Sequence, residues 1–224
     1  MKWLILAVLF GSSSLSFASE PNRIDQIETE ILASRSDIPA AAVSYAFDYF
    51  RGHETVFSNR SFITIIDFTL SSRKKRMHVI DLVSGRIEDY LVAHGKNSGD
   101  DIPTHFSNRV GSNMSSLGIY LTLQSFNGEH GLSMLLSGLE STNSNVQARA
   151  IIFHGAAYVS DEIAATQPRL GRSLGCPAVD LNLSTNLVDL LRGGSLIYAY
   201  SDVSPEFFKP EDLGPTSWNG EGWL

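Results

Sequence analysis

Ile151 to Leu181, reading IIFHGAAYVSDEIAATQPRLGRSLGCPAVDL, is the stretch that decides how this chain is understood. It holds the only cysteine of the 224-residue protein, Cys176, within Arg172-Ser173-Leu174-Gly175-Cys176-Pro177. The apolar run Arg149 to His154 predicts a buried strand that delivers His154 at its end, with Gly155 following at once. His154 and Cys176 are 22 positions apart, too far for one helical face and suited to two neighbouring strand ends joined by a loop. On residue type alone, a lone cysteine is most often a small buried hydrophobe and a lone histidine a satisfied core residue. The pairing changes that reading. A free thiol ionises near about 8.5, and only the thiolate is a good nucleophile. A neighbouring imidazole can take its proton. A glycine just before the nucleophile lets backbone N–H groups face a developing oxyanion, and Leu174, Gly175 and Cys176 are the candidate donors.

His-Gly, a loop, then Ser-x-Gly-Cys resembles the catalytic motif of the L,D-transpeptidases, the YkuD-type enzymes that cross-link peptidoglycan. The longer form HGAAYVS…GRSLGCPAV is closer to the murein branch often called YkuD-like type two. The likeness runs from about Arg60 to Ser201 and is densest from Phe106 to Val179. It implies a mainly β, sandwich-like fold with mixed strands. It also implies Cys176 as nucleophile, His154 as base and the Gly155 carbonyl as the group that orients the imidazole. Asp161 and Glu162, in the loop after His154, are the alternative orienting groups. Substrate contacts are expected from Ser173, Arg172, Tyr120, His130, Ser116 and Tyr158. Two departures from the family pattern stand out. Ser115-Ser116-Leu117-Gly118-Ile119-Tyr120 occupies the place of a Thr-Pro-x-Gly-x-aromatic segment, and Pro177-Ala178-Val179 follows the cysteine where many members carry arginine or asparagine. Arg172 is the nearest candidate for holding a substrate carboxylate. The resemblance implies peptidoglycan stem peptides as substrate and needs no metal or organic cofactor.

Composition agrees with an exported domain. The N-terminus reads as a secretory signal peptide over residues 1–18, with Lys2, the apolar run Trp3 to Phe10, and Ser16-Phe17-Ala18 before the cleavage point. No other stretch is apolar enough to span a bilayer. Exported proteins usually pair their cysteines, so a single thiol calls for a task or for deep burial. A net charge of −7 and a pI near 5.3 argue against nucleic-acid binding through a basic field. Hydrophobic residues make up 43% of the chain, enough for a sizeable core.

Ile24, Ile27, Ile31 and Leu32 recur at helical spacing, and Ala40 to Phe50 reads as a second helix. Residues 19–58 therefore form a helical N-terminal cap, which either packs on the domain or serves as a substrate lid. Phe62 to Leu70, Met77 to Val83 and Ile87 to Ala93 predict an antiparallel meander, with His94-Gly95 as loop. Leu117 to Phe126 and Leu132 to Ser137 are strands around a turn that carries His130, Ser184 to Leu191 is a helix, and Ser195 to Tyr200 is a last strand. A catalytic domain over 59–202 and an extension over 203–224, with Trp218 and Trp223, complete the division. Three rivals remain. Water in place of an amine would make the same site an L,D-carboxypeptidase or endopeptidase. The site could be vestigial in a wall-binding module. His154, His130 and Cys176 could hold zinc, although no compact ligand pair supports this.

Overall fold

The computed structural model describes residues 22–203. The expected signal peptide and all but Val203 of the expected extension, including Trp218 and Trp223, lie outside them. Two helices come first, α1 (Arg23–Ser34) and α2 (Ala40–Gly52). Strands β1 (Phe62–Asp67), β2 (Met77–Asp81), β3 (Ile87–Tyr90), β4 (Gly118–Gly128), β5 (Gly131–Gly138) and β6 (Ile152–Ala156) follow. Helix α3 (Asp161–Thr166), strand β7 (Ala178–Asp180), helix α4 (Leu181–Leu191) and strand β8 (Leu196–Tyr200) complete the order. No helix among the described residues is long and apolar enough to cross a membrane.

The strands form one eight-stranded mixed sheet in the order β3-β2-β1-β8-β4-β5-β6-β7. The meander β1–β2–β3 is antiparallel, as the sequence predicts. Two pairings are parallel, β1 with β8 and β6 with β7. The sandwich-like layering comes from a single sheet curled on itself. Its two edges approach beyond β3, where Ala93 N–H donates to the Ala178 carbonyl at 2.8 Å.

Alternation along the strands sorts side chains onto two faces. Ile63, Ile65, Ile119, Leu121 and Leu196 pack with Ile27, Ile31, Val43, Ala46, Phe47 and Phe50 of the cap helices. Ile66, Tyr120, Met134, Leu136, Phe153 and Ile197 pack with Leu187, Val188 and Leu191 of α4. A sheet buried on both faces reads as apolar runs, which is the texture of β1 and β8. Phe47 and Phe50 are fully buried, and each such ring contributes about 1.5–3 kcal/mol of transfer free energy. The cap is pinned at its rim as well, where Arg35 pairs with Asp89 at 2.9 Å and Asp89 accepts from His78 at 2.7 Å.

The segment after β3 braces the region before β7. Arg76, fully buried, donates to the carbonyls of Leu70 and Val92 and to His94 Nδ1 at 2.8 Å. The Ser173 N–H donates to the His94 carbonyl at 3.0 Å, and the Lys96 N–H to the Ser173 carbonyl at 2.8 Å. The sequence assigns His94-Gly95 to a loop; the structure makes it a strap for the Ser173 turn. Burial, and then the Arg76 guanidinium, push His94 down to about 4. An unfolded imidazole binds its proton near about 6.5. As pH falls through that value the unfolded chain gains a proton that folded His94 refuses, so stability is lost on acidification. At about 1.36 kcal/mol per pKa unit, the loss from His94 is about 3 kcal/mol, most of it between about pH 6.5 and 4. Denaturant unfolding at a series of pH values checks this; a flat profile over that window would contradict it.

Candidate active site

Strand β6 carries His154 and β7 begins two residues after Cys176. The two strands pair in parallel with His154 opposite Ala178 and Gly155 opposite Val179. The His154 N–H reaches the Pro177 carbonyl at 3.4 Å. Continuing the register back by two residues sets Cys176 beside Ile152, and the Ile152 N–H points at Sγ at 3.5 Å. Adjacent strands lie about 4.8 Å apart, and this ladder sets the Cys176 backbone beside the strand that carries His154. No hydrogen bond joins sulfur and imidazole in the resting protein among the described residues. The thiol faces the Ala150 carbonyl at 3.9 Å.

His154 is 3% exposed, and its Nδ1 lies 3.0 Å from the Gly155 carbonyl. A carbonyl only accepts, so Nδ1 carries the hydrogen and Nε2 keeps a free lone pair. Gly155 is thus the group that orients the ring. Asp161 starts α3, where it lies 3.9 Å from Lys75 and is 81% exposed, and among the described residues no hydrogen bond or ion pair joins it or Glu162 to the imidazole. The exposed His130, at the β4–β5 turn, stacks on His154 with ring centroids 4.2 Å apart. Burial lowers the His154 pKa, against the Gly155 contact that raises it. Burial raises the Cys176 pKa, against the Ile152 N–H and the charge of Arg149. The resting pair is therefore neutral thiol and neutral imidazole.

The turn before the nucleophile is locked by its own serine. Ser173 Oγ accepts from the Gly175 N–H at 3.0 Å and donates to the Cys176 carbonyl at 2.7 Å. Ser115 Oγ donates to the Gly175 carbonyl at 3.3 Å. The Ser173 hydroxyl is thus engaged within the turn, and the Gly175 amide donates to it. Among the described residues the Leu174 amide makes no backbone hydrogen bond, and the Cys176 amide faces its own sulfur. Leu174 is 61% exposed beside them.

The remaining expected contacts fall into two groups. Tyr158 is half-buried, packs over Gly171, and is pushed up to about 12 by burial and then by its proximity to Cys176. With His130 it borders the site. Tyr120 and Ser116 are buried, and both border a small, partly open pocket with Gly175 and Pro177. Tyr120 donates to the Ser116 carbonyl at 2.8 Å. The Ser116 hydroxyl accepts from Arg149. Arg172 donates to the carbonyls of Lys96 and Gly99 at 2.9 and 2.7 Å and lies 3.9 Å from Asp100, so it is committed to the 96–100 loop. Both of these hydrogen bonds use Nη1.

A family model described as the L,D-transpeptidase catalytic domain matches residues 34–200. The chain belongs to the L,D-transpeptidase catalytic-domain family. No match was found among curated protein sequences. Among solved structures, an L,D-transpeptidase from Mycobacterium smegmatis is similar at 11% identity over 63% of this chain and 59% of that one, with a TM-score of 0.39. L,D-transpeptidase 3 from Mycobacterium tuberculosis is similar at 10% identity over 63% and 61%, with a TM-score of 0.38. The chain spans about three-fifths of the length of these two proteins.

Sequence reading missed one charged group in this L,D-transpeptidase domain. Arg149, three residues before β6, sits beside Gly175 and faces Cys176 electrostatically. Its partners are 33 to 42 positions away in the chain, so no local pattern announces it. Among the described residues no group of three or more His, Cys, Asp or Glu is arranged to hold a metal ion.

Gly175 has φ of +129°, and a Cβ there would meet the Met114 carbonyl at 2.7 Å, Ile151 Cδ1 at 2.8 Å and Arg149 Nη2 at 3.0 Å. Gly175→Ala therefore combines backbone strain with a clash against backbone, a cost of about 2 kcal/mol or more. The expected outcome is a melting midpoint lower by about 4–8 °C, with slower alkylation of Cys176 by iodoacetamide. An unchanged midpoint and rate would show the turn to be pliable.

Proposed function

We propose that the protein is an exported cysteine L,D-transpeptidase that acts on peptidoglycan stem peptides. Family membership supports the reaction class, and the N-terminal sequence supports export. The observation that carries the residue roles is the parallel β6–β7 pairing, which brings Cys176 to the strand that bears His154, with Nδ1–H committed to Gly155. Cys176 is the nucleophile and His154 the base. The Cys176 proton passes to Nε2 as sulfur attacks the amide carbonyl of the stem peptide. The Leu174 and Cys176 amides receive the oxyanion. The C–N bond breaks, the leaving amine takes the proton from the imidazolium, and a thioester remains. An amine of a second stem then attacks the thioester. Its proton returns through His154 to the departing sulfur, and the cross-link is complete. Tyr158 and His130 border the reacting groups and are the remaining candidates for substrate contact.

Incubation of the purified protein with disaccharide tetrapeptides, followed by chromatography and mass spectrometry, tests this. Cross-linked dimers are expected. Trimmed monomers alone would replace transfer by hydrolysis, and unchanged substrate with a folded protein would remove the activity. Cys176→Ser and His154→Ala should each reduce turnover by about a thousandfold or more while circular dichroism stays unchanged. Burial lowers the His154 pKa, and the ring must be neutral to accept the thiol proton. The acid limb of kcat/KM should therefore lie below the ordinary imidazole value of about 6.5. A limb at or above 6.5 would contradict the assignment of His154 as the buried base.

A further inference from the structure

Arg149 is half-buried and has no carboxylate partner among the described residues. Its guanidinium is instead tied to neutral acceptors. Nη1 donates to the Ser107 carbonyl at 2.7 Å and to Ser116 Oγ, and Nη2 donates to Ser112 Oγ at 3.2 Å and to the Met114 carbonyl. Four of its five N–H donors are used, and only Nε remains. A guanidinium spent in this way cannot grip a substrate carboxylate with both arms of its fork. It is a fixed positive charge, and the 107–116 segment holds it still.

Its position is defined by the neighbouring glycine. Nη2 lies 3.0 Å from where a Gly175 side chain would begin, one residue before the nucleophile. The absence of a side chain at Gly175 is what admits the cation. A partly buried cation without a counter-ion is costly to keep. The groups that face the thiol are Arg149, Tyr120 from β4 and Tyr158 after β6, while His154, with His130 stacked upon it, stands on the neighbouring strand β6. Tyr120 and Tyr158 are held neutral by burial, and His154 is neutral at rest. The one anion this pocket forms is the Cys176 thiolate, or the oxyanion that follows it.

We infer that Arg149 is a positioning residue whose fixed charge, set against Gly175 by the 107–116 segment, stabilises the Cys176 thiolate as its proton leaves for His154. This rests on Cys176 being the nucleophile, the central element of the proposed function. It answers how a thiol that burial keeps protonated becomes reactive: the cation lowers the energy of the ionised form without entering the covalent steps.

Alkylation of Cys176 by iodoacetamide from pH 5 to 10, on the full chain, tests this without any stem peptide. Arg149→Gln keeps hydrogen-bond donors and loses the charge; Arg149→Lys keeps the charge and loses the fork. The expected result is a thiol titration midpoint about one pH unit higher in Arg149→Gln, with about tenfold slower alkylation near pH 7. Arg149→Lys should stay within about threefold of wild type, which a purely structural strap would not give. An unchanged midpoint in folded Arg149→Gln, or equal losses in both variants, would overturn the inference. A second measurement needs no variant: the rate ratio of anionic iodoacetate to neutral iodoacetamide at Cys176. The expected ratio is several-fold above that of free cysteine, and a ratio at or below it would equally overturn the inference. If the charge dependence holds but no cross-linked product forms, the proposed function fails and this inference stands.

Discussion

Everything at the site depends on β7, three residues long, lying parallel to β6. Parallel neighbours cannot be joined by a tight turn and need a crossover. Here that crossover is residues 157–177, which contain α3 and the whole nucleophile turn. The same ladder that aligns His154 with Ala178 fixes where Cys176 lies. Alpha-helix α4 follows at once, capped by Asp180, whose carboxylate accepts from the Asn182 N–H at 2.8 Å. Its buried face closes the core over β6, and a side chain on Gly155 would strike Ser184. The carbonyl that orients the imidazole is therefore held by helix packing as well as by the sheet.

A buried site must generate charge only when it is needed. Burial holds Cys176 as thiol and His154 as free imidazole, so neither bears a permanent unpaired charge. In the proposed mechanism transfer of one proton then creates two charges at once, and each has a support already in place. The imidazolium has the Gly155 carbonyl. The thiolate has the Ile152 N–H and the field of Arg149. The turn that presents the sulfur is stiffened from three directions: by Ser173 within it, by Ser115 ahead of β4, and by the His94 strap after β3. Preorganisation of this kind costs nothing at the moment of reaction, because the donors are already aimed.

The sequence made much of this legible, for physical reasons that differ by element. The meander, the two cap helices, β8 and the His154 strand show themselves through local periodicity, which burial on one or two faces imposes. The motif points to His154, Gly155 and Cys176, and the β6–β7 ladder places the Cys176 backbone beside the strand that carries the other two. Two short elements escaped. Strand β7 has three residues, too few for any period, and exists because β6 offers it a partner. Helix α3 has six residues and no buried face; its start is set by Ser160, which caps Ile163. Roles set by distant contacts were the harder part. Ser173, Arg172, Ser116 and Tyr120 carry side chains suited to binding substrate, yet the structure ties each of them to backbone or to Arg149. Arg149 itself stands in an unremarkable Gln-Ala-Arg-Ala run, and only folding brings it to Gly175.

The most direct measurement is the intact mass of the protein after exposure to a carbapenem, with the modified peptide mapped. A strained β-lactam amide opens onto an activated sulfur and leaves a stable acyl adduct that reports the first half of the cycle alone. The expected result is one adduct per chain, on Cys176, formed far more slowly when His154 is replaced by alanine. Absence of any adduct on the folded wild-type protein, or equal labelling with and without the imidazole, would contradict the central claim that β6 and β7 join these two side chains into one reactive pair.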